Sequence, residues 1–224
     1  GWWSDKESFG GSEGVNWTMV EHPSDGFVVL FNGEVVGTVH WGLTGKHNRS
    51  NALAAIAAAR NVGVPPGQAA ESLSRFESVK RRMEVRGVVN NITVYDDFAH
   101  HPTAIATTVG GLRQKLGAGS GASGRILAVL EPRSNTMKLG AMKDALPGSL
   151  KDDDLVFGFG SQQALGWSLA DALRPLGGIA HSFDQLDFLL KAIVDAAQPG
   201  DHILVMSNGG FGGIHQKLLE ALPA

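Results

Sequence analysis

"RILAVLE", residues 125–131, sets five apolar residues between an arginine and a glutamate. A short apolar run like this reads as a strand. "DLVFGF" (154–159) and "DHILVMS" (201–207) repeat the pattern, and "IAHSF" (179–183) is a shorter version. Helix-like stretches separate and follow them: "KLGAMKDALPGSL" (138–150), "SQQALGWSLADALRPL" (161–176), "DQLDFLLKAIVDAA" (184–197) and "GGIHQKLLEAL" (212–222). Upstream, "VVNNITVYDD" (88–97) predicts a hairpin across Asn90-Asn91, and "PTAIATTVGGLRQKL" (102–116) predicts a helix with Pro102 in its first turn. "GAGSGASG" (117–124) reads as a flexible connector. Short apolar strands alternating with helices mean βαβ units and a mostly parallel sheet. In such sheets, ligands bind beyond the carboxyl ends of the strands.

Before residue 77 the rhythm differs. "FVVLFNGEVVGTVHW" (27–41) is two strand-like runs split by Asn32-Gly33, a hairpin signal. An alanine-rich helix, "NALAAIAAARNVG" (51–63), is closed by Gly63 and Pro65, and a second, "GQAAESLSRF" (67–76), follows. A basic cluster, "VKRRMEVRG" (79–87), then opens the second rhythm. The boundary falls near residues 77–84 and divides the chain into 1–78 and 79–224.

Bulk properties narrow the function classes. With 224 residues the chain can bury a sizeable core, and 43% hydrophobic against 18% charged residues is ordinary for a globular protein. A formal charge of −3 argues against non-specific nucleic-acid binding. The absence of cysteine rules out disulfides and thiolate metal sites and fits a reducing compartment. The first residues lack a basic and then apolar signal pattern, and "NALAAIAAA" is too short to span a bilayer, so a cytoplasmic location with no membrane partner is expected.

Four segments carry candidate chemistry. In "VYDDFAHHPTAI" (94–105), Asp96 and Asp97 end a strand while His100 and His101 precede a helix. The bland reading is a helix cap in a polar loop. A metal hydrolase using all four side chains is a second, although adjacent histidines rarely reach one ion. The position favours a ligand rim, with Asp97 accepting hydroxyl hydrogen bonds. "GLTGKHNRSN" (42–51) fails as a P-loop, since only two residues separate Gly42 and Gly45 and His47 follows Lys46. Asn48 and Asn51 share a helix face there, and their amides offer donor and acceptor together, which suits a purine edge. The alternative is helix capping. An arginine of "KRRMEVR" could clamp a phosphate, but the run alone does not choose which. In "EPRSNTMKLG" (131–140), Arg133, Ser134, Asn135 and Thr136 form a polar group able to grip a carboxylate, unless Asn or Thr merely caps the next helix. "MSNGGFGGIHQ" (206–216) is a glycine-rich turn that does not fit G-x-G-x-x-G.

Taken together and in order, "HNRSNALAAIAAARNVGV", "F-x-x-V-K-R-R-M-E" and "YDDFAHHPTAI" resemble the central-to-C-terminal stretch of the Mur ligases, ATP-dependent amide-forming enzymes of peptidoglycan synthesis. "LEPRSNTMKLG" and "GDHILVMSNGGFGGIHQKLL" are similar to members that join a whole tripeptide to UDP-N-acetylmuramate during peptidoglycan recycling; the L-alanine-adding members carry a histidine at the position of Arg133. The resemblance implies an α/β fold: a C-terminal Rossmann-like domain over 79–224, preceded over 1–78 by the last part of an α/β ATPase-type central domain. It implies ATP and Mg2+, with the magnesium ligands mostly upstream of this stretch, and no metal ligand within it. It implies two substrates, UDP-N-acetylmuramate and L-Ala-γ-D-Glu-meso-diaminopimelate, joined through an acyl phosphate that the tripeptide amine attacks.

Carried over by position, Asn48 and Asn51 match the adenine-side asparagines and Asp97 the ribose-binding aspartate. Arg82 matches the phosphate-contacting arginine, which with His100 makes the catalytic pair. His100 and His101 match the muramate-side histidines, and Arg133, Asn135, Ser207 and Asn208 are expected at the tripeptide. The family's G-T-x-G-K-T/S loop does not occur in these 224 residues. The chain therefore looks like a C-terminal fragment, inactive by itself. The competing reading is a non-catalytic nucleotide- or peptide-binding module.

Overall fold

Two asparagine turns organise the two sheets. In the computed structural model, which describes residues 6–10, 14–22, 26–41, 45–77, 79–117 and 124–223, Asn32 and Gly33 have φ of +50° and +85°, and Asn90 and Asn91 have +48° and +60°. A two-residue hairpin loop needs this left-handed backbone, and asparagine and glycine tolerate it best.

The chain divides into two units, Gly1–Ser78 and Val79–Ala224. In the first, β1 (Trp17–Glu21), β2 (Phe27–Phe31) and β3 (Glu34–Val39) form an antiparallel sheet in the order β1-β2-β3. Two helices, α1 (Lys46–Asn61) and α2 (Pro66–Ser74), belong to the same unit. Trp17, Phe27, Val29 and Val39 bury against Leu53 and Ile56 of α1 and Ala69 and Ala70 of α2. Gly37 permits the close approach of α2 to β3, since a Cβ there would stand 2.9 Å from that of Ala70.

In the second unit, β4 (Glu84–Val89) and β5 (Ile92–Asp97) form the expected hairpin, and α3 (Pro102–Gly117) follows. Next come β6 (Ile126–Leu130), α4 (Asn135–Lys138), α5 (Leu146–Ser149) and β7 (Leu155–Phe159). The rest is α6 (Gln162–Leu165), α7 (Leu169–Leu173), β8 (Ala180–Phe183), α8 (Leu186–Ala196), β9 (His202–Met206) and α9 (Ile214–Ala221). The sheet order is β4-β5-β9-β6-β7-β8, parallel except for β4 at the edge. All of β6 is buried, and its residues alternate between two cores. Ile126, Ala128 and Leu130 pack with Ile105, Val109 and Leu112 of α3; Leu127 and Val129 pack with Ile193 of α8 and Leu218 of α9. "RILAVLE" is thus apolar throughout because helices cover both faces.

Several boundaries differ from the sequence expectation. Helix α1 begins at Lys46 rather than at Asn51, with Gly45 as its N-cap and no side-chain cap. The stretch 138–150 is not one helix: Gly140 turns left-handed at φ +71°, and only a 3₁₀ turn at Lys143–Ala145 and α5 follow. The stretch 161–176 is broken at Gly166 (φ +79°), after which the Ser168 hydroxyl starts α7 by accepting from the Asp171 amide. The Gly/Ser connector lies, in residues 118–123, outside the described residues, as do Gly42, Leu43 and Thr44 of the rejected P-loop.

One buried group works against the fold at high pH. Asp153, before β7, is 6% exposed, and neither carboxylate oxygen has a hydrogen-bond partner. Burial pushes its pKa from the ordinary 3.8 up to about 8, so the folded state holds it protonated where the unfolded chain would ionise. Its contribution to stability is therefore complete below 3.8 and is lost as pH rises through about 8. Asp153→Asn, uncharged at every pH, should raise Tm at pH 8 and flatten the decline in Tm between pH 5 and pH 8; a uniform shift at all pH values would show that the carboxyl ionises normally.

Candidate functional site

Strands β5, β9 and β6 lie side by side and end level, with Asp97 paired to Met206 and Met206 to Leu130. The ladder runs one step further, as the Ser207 amide donates to the Asp97 carbonyl (3.1 Å) and the Glu131 amide to the Met206 carbonyl (3.1 Å). Three polar loops thus leave one edge of an otherwise apolar sheet together.

Asp97 organises the first loop. Its Oδ2 accepts from the Met83 amide (2.9 Å), and its Oδ1 accepts from the Ala99 amide (2.8 Å) and the Thr108 hydroxyl (3.2 Å). The side chain is buried. A carboxylate has about four acceptor positions, so three are already taken. Asp96 faces a cation instead: Arg81 Nε reaches its two oxygens at 3.2 and 3.3 Å. Arg81 Nη2 continues across the sheet edge to the carbonyls of Ser207 (2.6 Å) and Gly209 (2.9 Å). On the other side of Asp96, His215 Nε2 stands at 3.4 Å, and burial pushes the His215 pKa down.

The segment entering β4 is held in an uncommon conformation. Arg81 and Met83 have φ of +60° and +50°, a region that non-glycine residues occupy only when surrounding contacts demand it. Those contacts are the Arg81 amide on Glu84 Oε2 (2.8 Å), the Phe98 amide on the Arg81 carbonyl (2.9 Å) and the Met83 amide on Asp97. Arg82 lies between the two pinned residues, exposed, and makes no hydrogen bond or ion pair with the described residues.

His100 donates from Nδ1 to the Phe98 carbonyl (2.8 Å), which leaves Nε2 as an acceptor. The His101 ring lies 4.0 Å from that of His100. Its Nδ1 is buried without a partner, and burial together with the neighbouring His100 pushes its pKa down, which favours a neutral ring at pH 7.

At the β6–β9 side, the Ser207 hydroxyl donates to Glu131 Oε2 (2.6 Å) and accepts from the Gly209 amide (3.0 Å), so this hydroxyl holds the loop together. The Asn208 Oδ1 is buried with no hydrogen-bond partner among the described residues. Arg133 Nη1 lies 3.9 Å from Glu131 Oε2, and its guanidinium rests on Gly209, where a Cβ would come within 2.0 Å of Nη1. Half of the Arg133 side chain is exposed. Ser134, not Asn135 or Thr136, caps α4 by accepting from the Met137 amide (3.3 Å), which leaves Asn135 exposed in the first turn.

Arg82, Asp97, His100 and His101 therefore gather at the end of β5, while Arg133, Asn135, Ser207 and Asn208 gather at the ends of β6 and β9. Asn48 and Asn51 lie on α1 of the first unit, Asn51 exposed. The four side chains of the metal reading do not converge: Asp96 pairs with Arg81, Asp97 holds backbone amides, and His100 bonds a carbonyl. Among the described residues no three His, Asp or Glu side chains come together to hold a metal ion, and no helix is long and apolar enough to cross a membrane. Sequence reasoning missed Arg81 and Glu131. Nothing in "KRRMEVR" distinguishes Arg81 from Arg82 without the left-handed turn.

A mostly parallel sheet with polar loops at its carboxyl edge and an antiparallel strand at its side is a fold shared by many functions, and the sequence narrows it to one family. Residues 81–209 match the Mur ligase, glutamate ligase domain family, and the chain belongs to that family. It is 50% identical over 224 residues to the UDP-N-acetylmuramate–L-alanyl-γ-D-glutamyl-meso-2,6-diaminoheptandioate ligase of Escherichia coli K12, covering 99% of this chain and 48% of that protein. The Haemophilus influenzae protein of the same description is 48% identical over 222 residues, again covering 99% of this chain and 48% of that protein. The crystal structure of a murein peptide ligase from Psychrobacter arcticus superposes with a TM-score of 0.72 at 43% identity, covering 93% of this chain and 44% of that one. The chain spans about half the length of the curated relatives it matches.

If Asp97 organises this edge, Asp97→Asn should destabilise the chain by about 2–4 kcal/mol, because an amide cannot accept at both oxygens and charge-assisted bonds to buried amides are lost. Urea unfolding of the variant measures this; an unchanged midpoint would remove Asp97 from the framework.

Proposed function

We propose that this chain is the C-terminal half of an ATP-dependent ligase that joins UDP-N-acetylmuramate to L-Ala-γ-D-Glu-meso-diaminopimelate, in the cytoplasm, during peptidoglycan recycling. On this reading residues 1–78 are the last part of the central ATP-binding domain and 79–224 the C-terminal domain. The observation that carries it is the half-exposed guanidinium of Arg133, seated on Gly209 at the β6–β9 end of the sheet. A cation there complements the carboxylate of an amino-acid terminus, and a tripeptide ending in diaminopimelate presents one. The activity for which the relatives are named supplies the substrate names.

ATP supplies a leaving group, since a carboxylate does not react with an amine until its oxygen is activated. Arg82, exposed between two pinned residues, is the cation this chain offers to the phosphates, where charge builds up during transfer. The pinned turn fixes where its backbone stands, and the exposed side chain is left to reach toward a phosphate. His100, with the tilted His101 ring against it, offers an acceptor toward the muramate side. Asn48 and Asn51 are assigned to adenine. A ribose contact by Asp97 would use the single acceptor position its framework bonds leave. Magnesium finds no cluster of ligands among the described residues, and none of them is assigned to it.

The test is isothermal titration and steady-state kinetics of the full-length ligase containing this chain. Arg133→Ala should weaken tripeptide binding by about 10- to 100-fold, the range for losing a charged hydrogen-bond partner, with Tm nearly unchanged because the side chain is half exposed. Gly209→Ala should act in the same direction but less, by pushing the guanidinium off its seat. Unchanged affinity in both variants would take the tripeptide away from this loop.

A further inference from the structure

Arg82 and Asn208 lie on different loops, and one side chain ties those loops together. Arg81 lies next to Arg82 in the chain, yet its guanidinium bonds the carbonyls on either side of Asn208, those of Ser207 and Gly209. Its Nε is oriented by the buried carboxylate of Asp96, and its guanidinium carbon sits 5.2 Å from the Phe98 ring centroid. Its backbone is fixed through the Glu84 carboxylate and the Phe98 amide.

We propose that Arg81 is a positioning residue that holds the Asn208 loop and the Arg82 turn in one register, so that the amino-acid and phosphate ends of the site are built as a unit. The role is set by geometry. Lysine has a single nitrogen and cannot span Asp96 and two carbonyls, whereas a guanidinium carries donors in a fixed planar fork. The two carbonyls lie in the glycine-rich turn just past the end of β9, where the sheet ladder no longer supports the chain. Without Arg81 the Asn208 amide group has no fixed direction, and Gly209 no longer provides a fixed seat for Arg133. Groups facing Arg81 from every packed element are Asp96 of β5, Glu84 of β4 and, behind Asp96, His215 of α9.

The link to tripeptide affinity rests on the ligase reading, while the positioning itself does not. The experiment therefore has two readouts. In the ¹⁵N-labelled chain, NMR amide exchange at Asn208, Gly209 and Gly210 should become about tenfold faster or more in Arg81→Lys, while amides of β6 keep their protection. In the full-length ligase the same variant should raise the tripeptide KM by about tenfold, the loss expected for one charge-assisted hydrogen bond. The KM for UDP-N-acetylmuramate should stay within about twofold, which global destabilisation would not produce. Methylguanidine added to Arg81→Ala should lower the tripeptide KM again. Should Arg81→Lys not fold, Asp96→Asn, which frees the guanidinium from its orienting carboxylate, is expected to show the same exchange pattern more weakly. Unchanged exchange at 208–210 in the folded variant overturns the proposal whatever the kinetics. Faster exchange combined with a wild-type enzyme that does not use the tripeptide leaves the positioning role standing and overturns the function proposed above.

Discussion

A sheet buried on both faces has only its ends to offer to a ligand, and this constraint governs the second unit. Every residue of β6 is covered by helices, and β9 and β5 are nearly so. Acidic side chains on those strands stand at the carboxyl edge, where the ladder gives out and backbone groups need new partners. Asp96, Asp97, Glu131 and Ser207 stand at that edge, each in the first position after the apolar run or in its last two. Their first task is structural, to satisfy amides and to anchor Arg81.

That order of priorities explains why the site is rigid where it touches the fold and open where it faces solvent. The buried members have filled hydrogen-bond partners: Asp97 on two amides and a hydroxyl, Asp96 on Arg81, and Ser207 between Glu131 and Gly209. The outer members with free capacity are Arg82, the Nε2 of His100, Arg133 and Asn135, while Asn208 Oδ1 is buried with no partner among the described residues. A left-handed turn at two non-glycine residues is tolerated in exchange for placing Arg82 between two anchors.

Much of this was legible in the sequence. The asparagine turns announced both hairpins, and short apolar runs alternating with helices announced a mostly parallel sheet. The rule that ligands bind beyond strand carboxyl ends drew attention to the loops of Arg133 and the paired histidines, and the family resemblance to Asn208. What periodicity missed were breaks: Gly140 and Gly166 turn left-handed and cut two apparent helices into short turns, because a helical pattern of apolar residues does not reveal the backbone between them. The roles of Arg81 and Ser207 were also hidden. A charge run carries no information about which member turns inward, and a serine in a glycine-rich loop looks available until its partners, here Glu131 and the Gly209 amide, are known.

Hydrogen–deuterium exchange of the full-length ligase, with and without saturating tripeptide in the presence of nucleotide and UDP-N-acetylmuramate, tests most directly whether the β5–β9–β6 edge is the ligand rim. New protection is expected in segments 97–101, 131–135 and 207–211. Protection confined to the opposite, amino-end edge of the sheet, around Asn91, Arg125 and His202, or no change at the carboxyl edge, would contradict it.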